Sequence, residues 1–102
     1  MPVDISGNEF ENEVIEQSEK ERVVVDFWAP WCSPCKMLGP TLKEVCEEEE
    51  LKLVKVNVDD NSGLAQQFGI RGIPAVKVFE EGEVVDEFTG VQPEDQIRSV
   101  VT

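Results

Sequence analysis

The chain has 102 residues, 40% of them hydrophobic, and its 22 acidic and 9 basic side chains give a net charge of −13. This length predicts a single domain, residues 1–102, with one modest core. Such an excess of negative charge argues against nucleic-acid binding through phosphate contacts. The acidic runs 47–50 and 80–87 fit a solvated surface, or a field that repels some partners and selects others.

No stretch of the sequence resembles a membrane anchor. A membrane-spanning helix needs about 18 consecutive apolar residues, and no window approaches that. No charged and then apolar leader precedes a cleavage site. We therefore expect a cytoplasmic protein that does not associate with membranes.

The first half of the chain alternates strands with helices. A short strand is predicted at 3–5, and the capping-box pattern at Ser6 opens an amphipathic helix over 7–18. Residues 22–28 are apolar on both faces, as in a strand that is covered on both sides. A second helix begins at Cys32 and extends to Cys46. Pro40 is expected to break and kink it.

The pattern changes in the second half. Residues 51–58 predict a strand, and Asn61 or Ser62 caps a short helix that runs through Phe68, with Gly69 in the position that ends helices. Residues 75–88 then predict two strands in succession, which meet in a hairpin turn.

A proline and the order of elements complete the fold prediction. Pro93 suits the first residue of a last helix. The order β-α-β-α-β-α-β-β-α indicates a layered α/β domain whose sheet is mostly parallel and ends in an antiparallel hairpin.

Cys32 and Cys35 stand three residues apart in "WCSPCK". The pair falls where a buried strand ends and a helix begins, which is where ligands and chemistry gather in α/β sheets. Free N–H groups at a helix start also stabilise a thiolate. The pair could be a metal clip, a structural staple or a redox centre.

Composition and spacing favour the redox centre. A structural zinc site needs four ligands, usually cysteine and histidine, yet the chain has no histidine. The third cysteine, Cys46, lies about 16 Å along the helix from Cys35. A staple closing four residues removes only about 1.9 kcal/mol of unfolded-state entropy. We therefore expect a redox pair with no metal and no cofactor.

Three segments carry a resemblance to a known family: "VVVDFWAPWCSPCKMLGP", "KVNVDDNSGLAQQFGIRGIPAVKVF" and "GEVV…TGV". In order and spacing they resemble thioredoxin, from about residue 3 to the end without insertion. The resemblance implies the thioredoxin fold, a central mixed five-stranded sheet flanked by four helices. It implies a thiol–disulfide oxidoreductase that reduces protein disulfides and is re-reduced by a thioredoxin reductase. Ser33 departs from the usual Gly-Pro pair, which bears on the redox potential.

The two cysteines are expected to divide the chemistry. Cys32 is the predicted nucleophile, because it is expected to lie nearer than Cys35 to the start of the helix and to the exposed side of that start. The resemblance agrees and makes Cys35 the buried resolving thiol. Pro34 either keeps the turn rigid for this chemistry or is simply a first-turn helix proline.

Asp26 is an acid within an apolar strand. It either points to a polar neighbour or is a desolvated carboxyl with a raised pKa that accepts the proton of Cys35. The resemblance favours the second interpretation. Lys55 stands where thioredoxins place a lysine near that carboxyl, although a lone lysine is more typical of the surface.

Pro74 opens a strand, where its missing N–H costs least. The family's "GIP" pattern implies a cis Ile73–Pro74 bond that faces the cysteines, with the Ile73 backbone free for an extended substrate. The implied apolar rim around it comprises Trp31, Gly72, Gly90 and Val91, although turn geometry alone could explain the glycines. Trp28 is expected behind the site. Cys46 is expected in the core, with a regulatory or dimer-forming role as the alternative.

Two competing functions remain open. Disulfide oxidants and isomerases of the same fold often carry histidine where this chain has Pro34. A binding module with incidental thiols is the alternative from another class. In the leading interpretation the protein is a monomer whose partners are disulfide-containing proteins and the reductase.

Overall fold

Five strands form one mixed sheet in the computed structural model, which describes residues 3–102. Their order across the sheet is β1-β3-β2-β4-β5. Strands β1, β3 and β2 are parallel, whereas β4 runs antiparallel to β2, and β5 to β4. The strands are β1 Val3–Asp4, β2 Val23–Trp28, β3 Lys52–Asn57, β4 Ala75–Glu80 and β5 Glu83–Thr89. The predicted mixed sheet is confirmed.

Four helical segments flank this sheet. They are the N-terminal helix (residues 7–19), α1 Ser33–Glu48, α2 Ser62–Gln67 and α3 Glu94–Val101. Of the helices within residues 3–102, none has the length and apolar character needed to cross a membrane.

The N-terminal helix is wound differently from the regular α-helix expected over 7–18. It consists of a 3₁₀ turn, a π-helical stretch at Glu11–Glu16 and a second 3₁₀ turn. A π-helix closes hydrogen bonds from i to i+5. That wider turn brings Phe10 and Ile15 to the side of Val14, and all three pack in one core cluster. The apolar spacing thus predicted a helix there but not its winding.

Ser18 joins the N-terminal helix to the β4–β5 turn. Its hydroxyl donates to the Ile15 carbonyl at 2.7 Å and accepts from the Gly82 N–H at 2.8 Å. The Ser18 carbonyl accepts from the Glu81 N–H at 2.9 Å. The side chain is buried, and all of its hydrogen-bonding groups lie at this junction.

Strand β2 is the centre of the core, as its apolar run indicated. Side chains alternate across a strand, so Val24 points to one face and Val23, Val25 and Phe27 to the other. Val24 packs in the cluster with α1 and α3. The other three pack in the cluster with the N-terminal helix. Asp26 shares the face of Val24, on the side of α1.

Helix α1 begins directly after Cys32, which is its N-cap residue. The expected break at Pro40 is wrong, because the helix is continuous to Glu48. Proline removes one backbone hydrogen bond. The buried side chains of Leu38, Leu42 and Val45 on either side of it keep the helix docked on the sheet.

The remaining boundaries lie close to those predicted. Asn61 is the N-cap of α2, and Gly69 follows that helix with a φ of 64°. Pro93 precedes α3 as its N-cap rather than being its first residue. The hairpin turn consists of Glu81 and Gly82, both at positive φ, which is the geometry of a two-residue turn.

Candidate active site

Cys32 and Cys35 form a disulfide at the end of β2, with their Cα atoms 5.3 Å apart. The Cys35 N–H donates to the Cys32 sulfur at 3.2 Å. Both residues are buried, at 5% and 4% exposure, so the expected greater exposure of Cys32 is not found. The reason is packing, because both cysteines contact a small cluster formed by Ala29, Trp28 and Ile73.

The two sulfurs nevertheless face different surroundings. The Cys32 sulfur lies 3.8 Å from the carbonyl oxygen of Ile73. Cys35 instead lines a cavity of about 370 Å³ between α1 and the sheet, together with Asp26 and Lys55. What separates the two cysteines is therefore their neighbours rather than their exposure.

Asp26 lines the same cavity as Cys35 and is buried, with 2% of its surface exposed. Burial raises the pKa of this carboxyl to about 6, and the positive charge of Lys55 partly opposes the rise. Across the part of the chain that is described, its Oδ1 atom finds no hydrogen-bond donor. Such a group takes up and releases protons near neutral pH, as the interpretation of a desolvated carboxyl requires.

Lys55 lies directly opposite Asp26 in the parallel pairing of β2 with β3. Its ammonium lies over the Trp28 ring, 4.2 Å from the ring centroid, which is a cation–π contact. The side chain is half-buried and lines the same cavity as Asp26. Lys55 is therefore not in the solvated surface position that was the alternative for a lone lysine.

The remaining predicted site residues border the Cys32 side. The Ile73–Pro74 bond is cis, as the resemblance implied. The Gly90 N–H donates to the Pro74 carbonyl at 2.8 Å, and Gly90 has a φ of 80°, which favours glycine. Gly72 lies beside the Thr89 side chain, next to Gly90. The exposed members of the border are Trp31, Pro34, Gly72 and Val91.

Asp59 is a site residue that the sequence analysis missed. Its carboxylate accepts a hydrogen bond from the indole N–H of Trp31 at 2.8 Å, while Trp31 remains 67% exposed. A signal for it existed, because Asp59 follows β3 at the edge of the sheet where β2 also ends.

Lys36 and Lys43 were also missed, and both line the cavity beside Cys35. They are seven residues apart on α1, which places them on one side of the helix. Nothing in the sequence distinguishes Lys36 and Lys43 from ordinary surface lysines.

Within residues 3–102 no group of three or more histidine, cysteine or acidic side chains is placed so that it could hold a metal ion. Cys46 is a buried free thiol in the core cluster with α3, as expected. Burial, together with the negative charge of Asp26, raises its pKa to about 12.

Comparison with known proteins agrees with this geometry. The family model described as Thioredoxin matches residues 2–102. A thioredoxin of Pyropia yezoensis is 42% identical over 99 residues, which cover 95% of this chain and 91% of that one. Thioredoxin 1 of Synechococcus elongatus is 42% identical over 94 residues, covering 90% and 86%. Among solved structures, a mutant thioredoxin from Halobacterium salinarum NRC-1 superposes with a TM-score of 0.86 at 35% identity, covering 98% of this chain and 87% of that one.

Proposed function

Because this chain belongs to the thioredoxin family and is therefore a thiol–disulfide oxidoreductase, we propose that it reduces protein disulfides with Cys32 as nucleophile and Cys35 as resolving thiol. Family membership implies disulfide-containing protein substrates and a thioredoxin reductase as partners. One observation carries the assignment of roles. The Cys32 sulfur faces the Ile73 carbonyl on the exposed border, and Cys35 faces the cavity that holds Asp26.

The cycle starts from the reduced dithiol. The Cys32 thiolate attacks one sulfur of the substrate disulfide, which breaks that bond, forms a mixed disulfide and releases one substrate thiolate, which takes up a proton. Cys35 then loses its proton and attacks the Cys32 sulfur. The mixed disulfide bond breaks, the second substrate sulfur leaves as a thiolate that takes up a proton, and the Cys32–Cys35 disulfide forms. Two electrons have passed to the substrate, and the protein is in the oxidised state of this structure.

Asp26 is the proposed acceptor of the Cys35 proton. Both groups line one cavity, and a carboxyl with a pKa of about 6 is mostly ionised at neutral pH yet basic enough to take a proton. Lys55 is the proposed electrostatic partner that keeps this carboxyl ionised, since its charge lowers the Asp26 pKa.

Substrate docking is proposed at the border of Cys32. Within residues 3–102 the Ile73 N–H and carbonyl have no backbone partner, so an extended substrate segment can pair with them. The surrounding residues proposed to contact the partner are Trp31, Pro34, Gly72, Pro74, Gly90 and Val91. The exposed Trp31 ring, held by Asp59, offers a rigid apolar surface beside the reactive sulfur.

The wider properties remain proposals of the same kind. We infer a monomeric single domain in the cytoplasm that binds neither nucleic acid nor membranes. The net charge of −13 supports the exclusion of nucleic acid, because phosphate contacts require positive charge.

An insulin-disulfide reduction assay tests the function, first with dithiothreitol and then with candidate reductases. Wild type should accelerate insulin precipitation, and Cys32→Ser should abolish the effect. The reduction potential decides the direction, because about −270 mV is typical of a reductase and about −120 mV of an oxidant. The measured potential also shows whether Ser33, in place of the usual glycine, moves this protein away from the range of a reductase. If the Cys32→Ser/Cys35→Ser double variant retained full cellular function, the physiological role would be binding rather than redox chemistry.

A further inference from the structure

The positive charges of this protein are distributed unevenly. Of the nine lysines and arginines, four form salt bridges with acidic side chains: Arg22, Lys52, Lys77 and Arg98. None of these four lines the cavity beside Cys35. The other five have no salt bridge to any described residue. Three of these five, Lys36, Lys43 and Lys55, line the cavity beside Cys35, which we call the lysine cavity.

This concentration of cations stands out in a chain with more than twice as many acids as bases. The charged residues that line the lysine cavity are three lysines and one acid, Asp26, a net charge of +2 even when that acid is ionised. Lysines on a solvated surface of such a protein have many carboxylates to pair with. A small anion is the complementary partner for a cluster left without them.

The remaining walls of the lysine cavity are apolar. Trp28, Leu53 and Pro40 contribute ring and aliphatic surface, and Gly39 leaves room at the helix because nothing stands within 4 Å of where its Cβ would be. A volume of about 370 Å³ lies within the range of small-molecule sites, roughly 300–1,000 Å³. An apolar wall with a few convergent charges fits a ligand that has an apolar body and one charged group.

We propose that the lysine cavity binds a small organic carboxylate, whose charged group lies between Lys36 and Lys43 and whose apolar body packs on Trp28 and Leu53. This site lies on the Cys35 side of the disulfide, whereas protein substrates are proposed to dock on the Cys32 side. The inference therefore does not require the reductase role.

Binding of benzoate to the oxidised protein, followed by amide chemical shifts, tests the proposal. We expect one saturable site, with shifts at residues of β2, β3 and α1 that line the cavity. Benzamide has the same shape without the charge and should bind about tenfold more weakly or worse. Inorganic phosphate has the charge without the apolar body and should also bind more weakly. Equal binding of benzoate and benzamide, or of benzoate and phosphate, would overturn the proposal.

Two matched variants locate the site. Lys43 is exposed, so Lys43→Gln removes a charge from the cavity without disturbing the core, and it should weaken benzoate binding about fivefold. Lys20 also has no salt bridge among the described residues, but it does not line the cavity, so Lys20→Gln should bind as wild type does. Equal effects of the two variants would show that benzoate responds to overall charge and would refute the site. Because the readout is binding to the oxidised protein, a failed reductase assay would not change its meaning.

Discussion

Asp26 and Lys55 lie directly opposite each other on β2 and β3, yet the Lys55 ammonium lies over the Trp28 ring rather than on the Asp26 carboxylate. The lysine thus acts on the acid through its charge and makes no direct salt bridge with it. Burial is the larger influence on Asp26, so its pKa is raised rather than lowered.

Replacing Asp26 with alanine should stabilise the protein at neutral pH. The carboxyl titrates at 3.8 when unfolded and at about 6 when folded. Wild type should therefore lose stability as pH rises between these values, because only the unfolded state ionises there, and the loss should level off above about 6. Each pKa unit between the folded and unfolded states corresponds to about 1.36 kcal/mol. Across this window the free energy of unfolding of Asp26→Ala should therefore rise relative to that of wild type by up to about 3 kcal/mol.

Denaturant unfolding from about pH 3.5 to pH 8 measures this gain. Glu44→Ala removes an exposed acid from α1 and serves as the control. A constant difference between wild type and Asp26→Ala over the whole range would contradict the burial of an ionisable carboxyl.

The same substitution should slow the release of substrate. Without Asp26, Cys35 has no proton acceptor beside it, and loss of a general base typically costs at least about a hundredfold. Single-turnover kinetics on a disulfide peptide, with the mixed disulfide trapped by acid quenching, follow this step directly. If Asp26→Ala gains stability but resolves the mixed disulfide at the wild-type rate, Asp26 is buried but takes no part in proton transfer.

Replacing Lys55 with methionine should raise the pKa of Asp26 above about 6, because the charge that lowers this pKa is removed while an apolar side chain of similar length remains. The pH window in which stability declines should extend upward by the same amount. The carboxyl signal of Asp26, followed by NMR during a pH titration, gives the value directly. Lys20→Met is the control, and an unchanged Asp26 titration in Lys55→Met would exclude the proposed coupling.

Alkylation of the reduced protein should proceed in a fixed order. The Cys35 N–H that now donates to the Cys32 sulfur would also stabilise a Cys32 thiolate, which is the reactive form. Cys46, with its pKa raised to about 12 by burial, should stay a thiol and react only on unfolding. Peptide mapping after brief iodoacetamide treatment should therefore find Cys32 labelled first. Preferential labelling of Cys35 would reverse the assigned roles.

Local sequence signals predicted most of the fold and its boundaries. Three of these signals act within a few residues of the element that they predict. Strand β2 is apolar on both faces, a glycine follows α2, and a proline precedes α3. The winding of the N-terminal helix could not be predicted, because apolar residues at Phe10, Val14 and Ile15 suit an α-helical or a π-helical turn alike. The continuity of α1 through Pro40 depends on packing partners that are distant in sequence.

The site was predictable where one motif contained it and less so where several elements meet. The cysteine pair was found from its spacing, whereas the expectations for Asp26 and the Ile73–Pro74 segment came from the family resemblance. Asp59, Lys36 and Lys43 were missed, because their roles arise only when β3 and α1 come together beside β2. The exposure expected of Cys32 was wrong for the same reason, since the Ile73 that packs on it comes from the segment before β4, 41 residues further along the chain.

The hydrogen bonds of Ser18 have a consequence for how this protein opens. The Glu81 and Gly82 amides, more than 60 residues further along the chain, both donate to Ser18. Each amide exchanges its hydrogen with solvent only when its bond to Ser18 opens, which separates the hairpin turn from the N-terminal helix. Amide exchange at these two positions should therefore be as slow as in the helix itself, so that two distant segments open as one cooperative unit. Ser18→Ala removes the hydroxyl's bonds to Gly82 and Ile15 but keeps the carbonyl that accepts from Glu81, so it should speed exchange at Gly82 more than at Glu81.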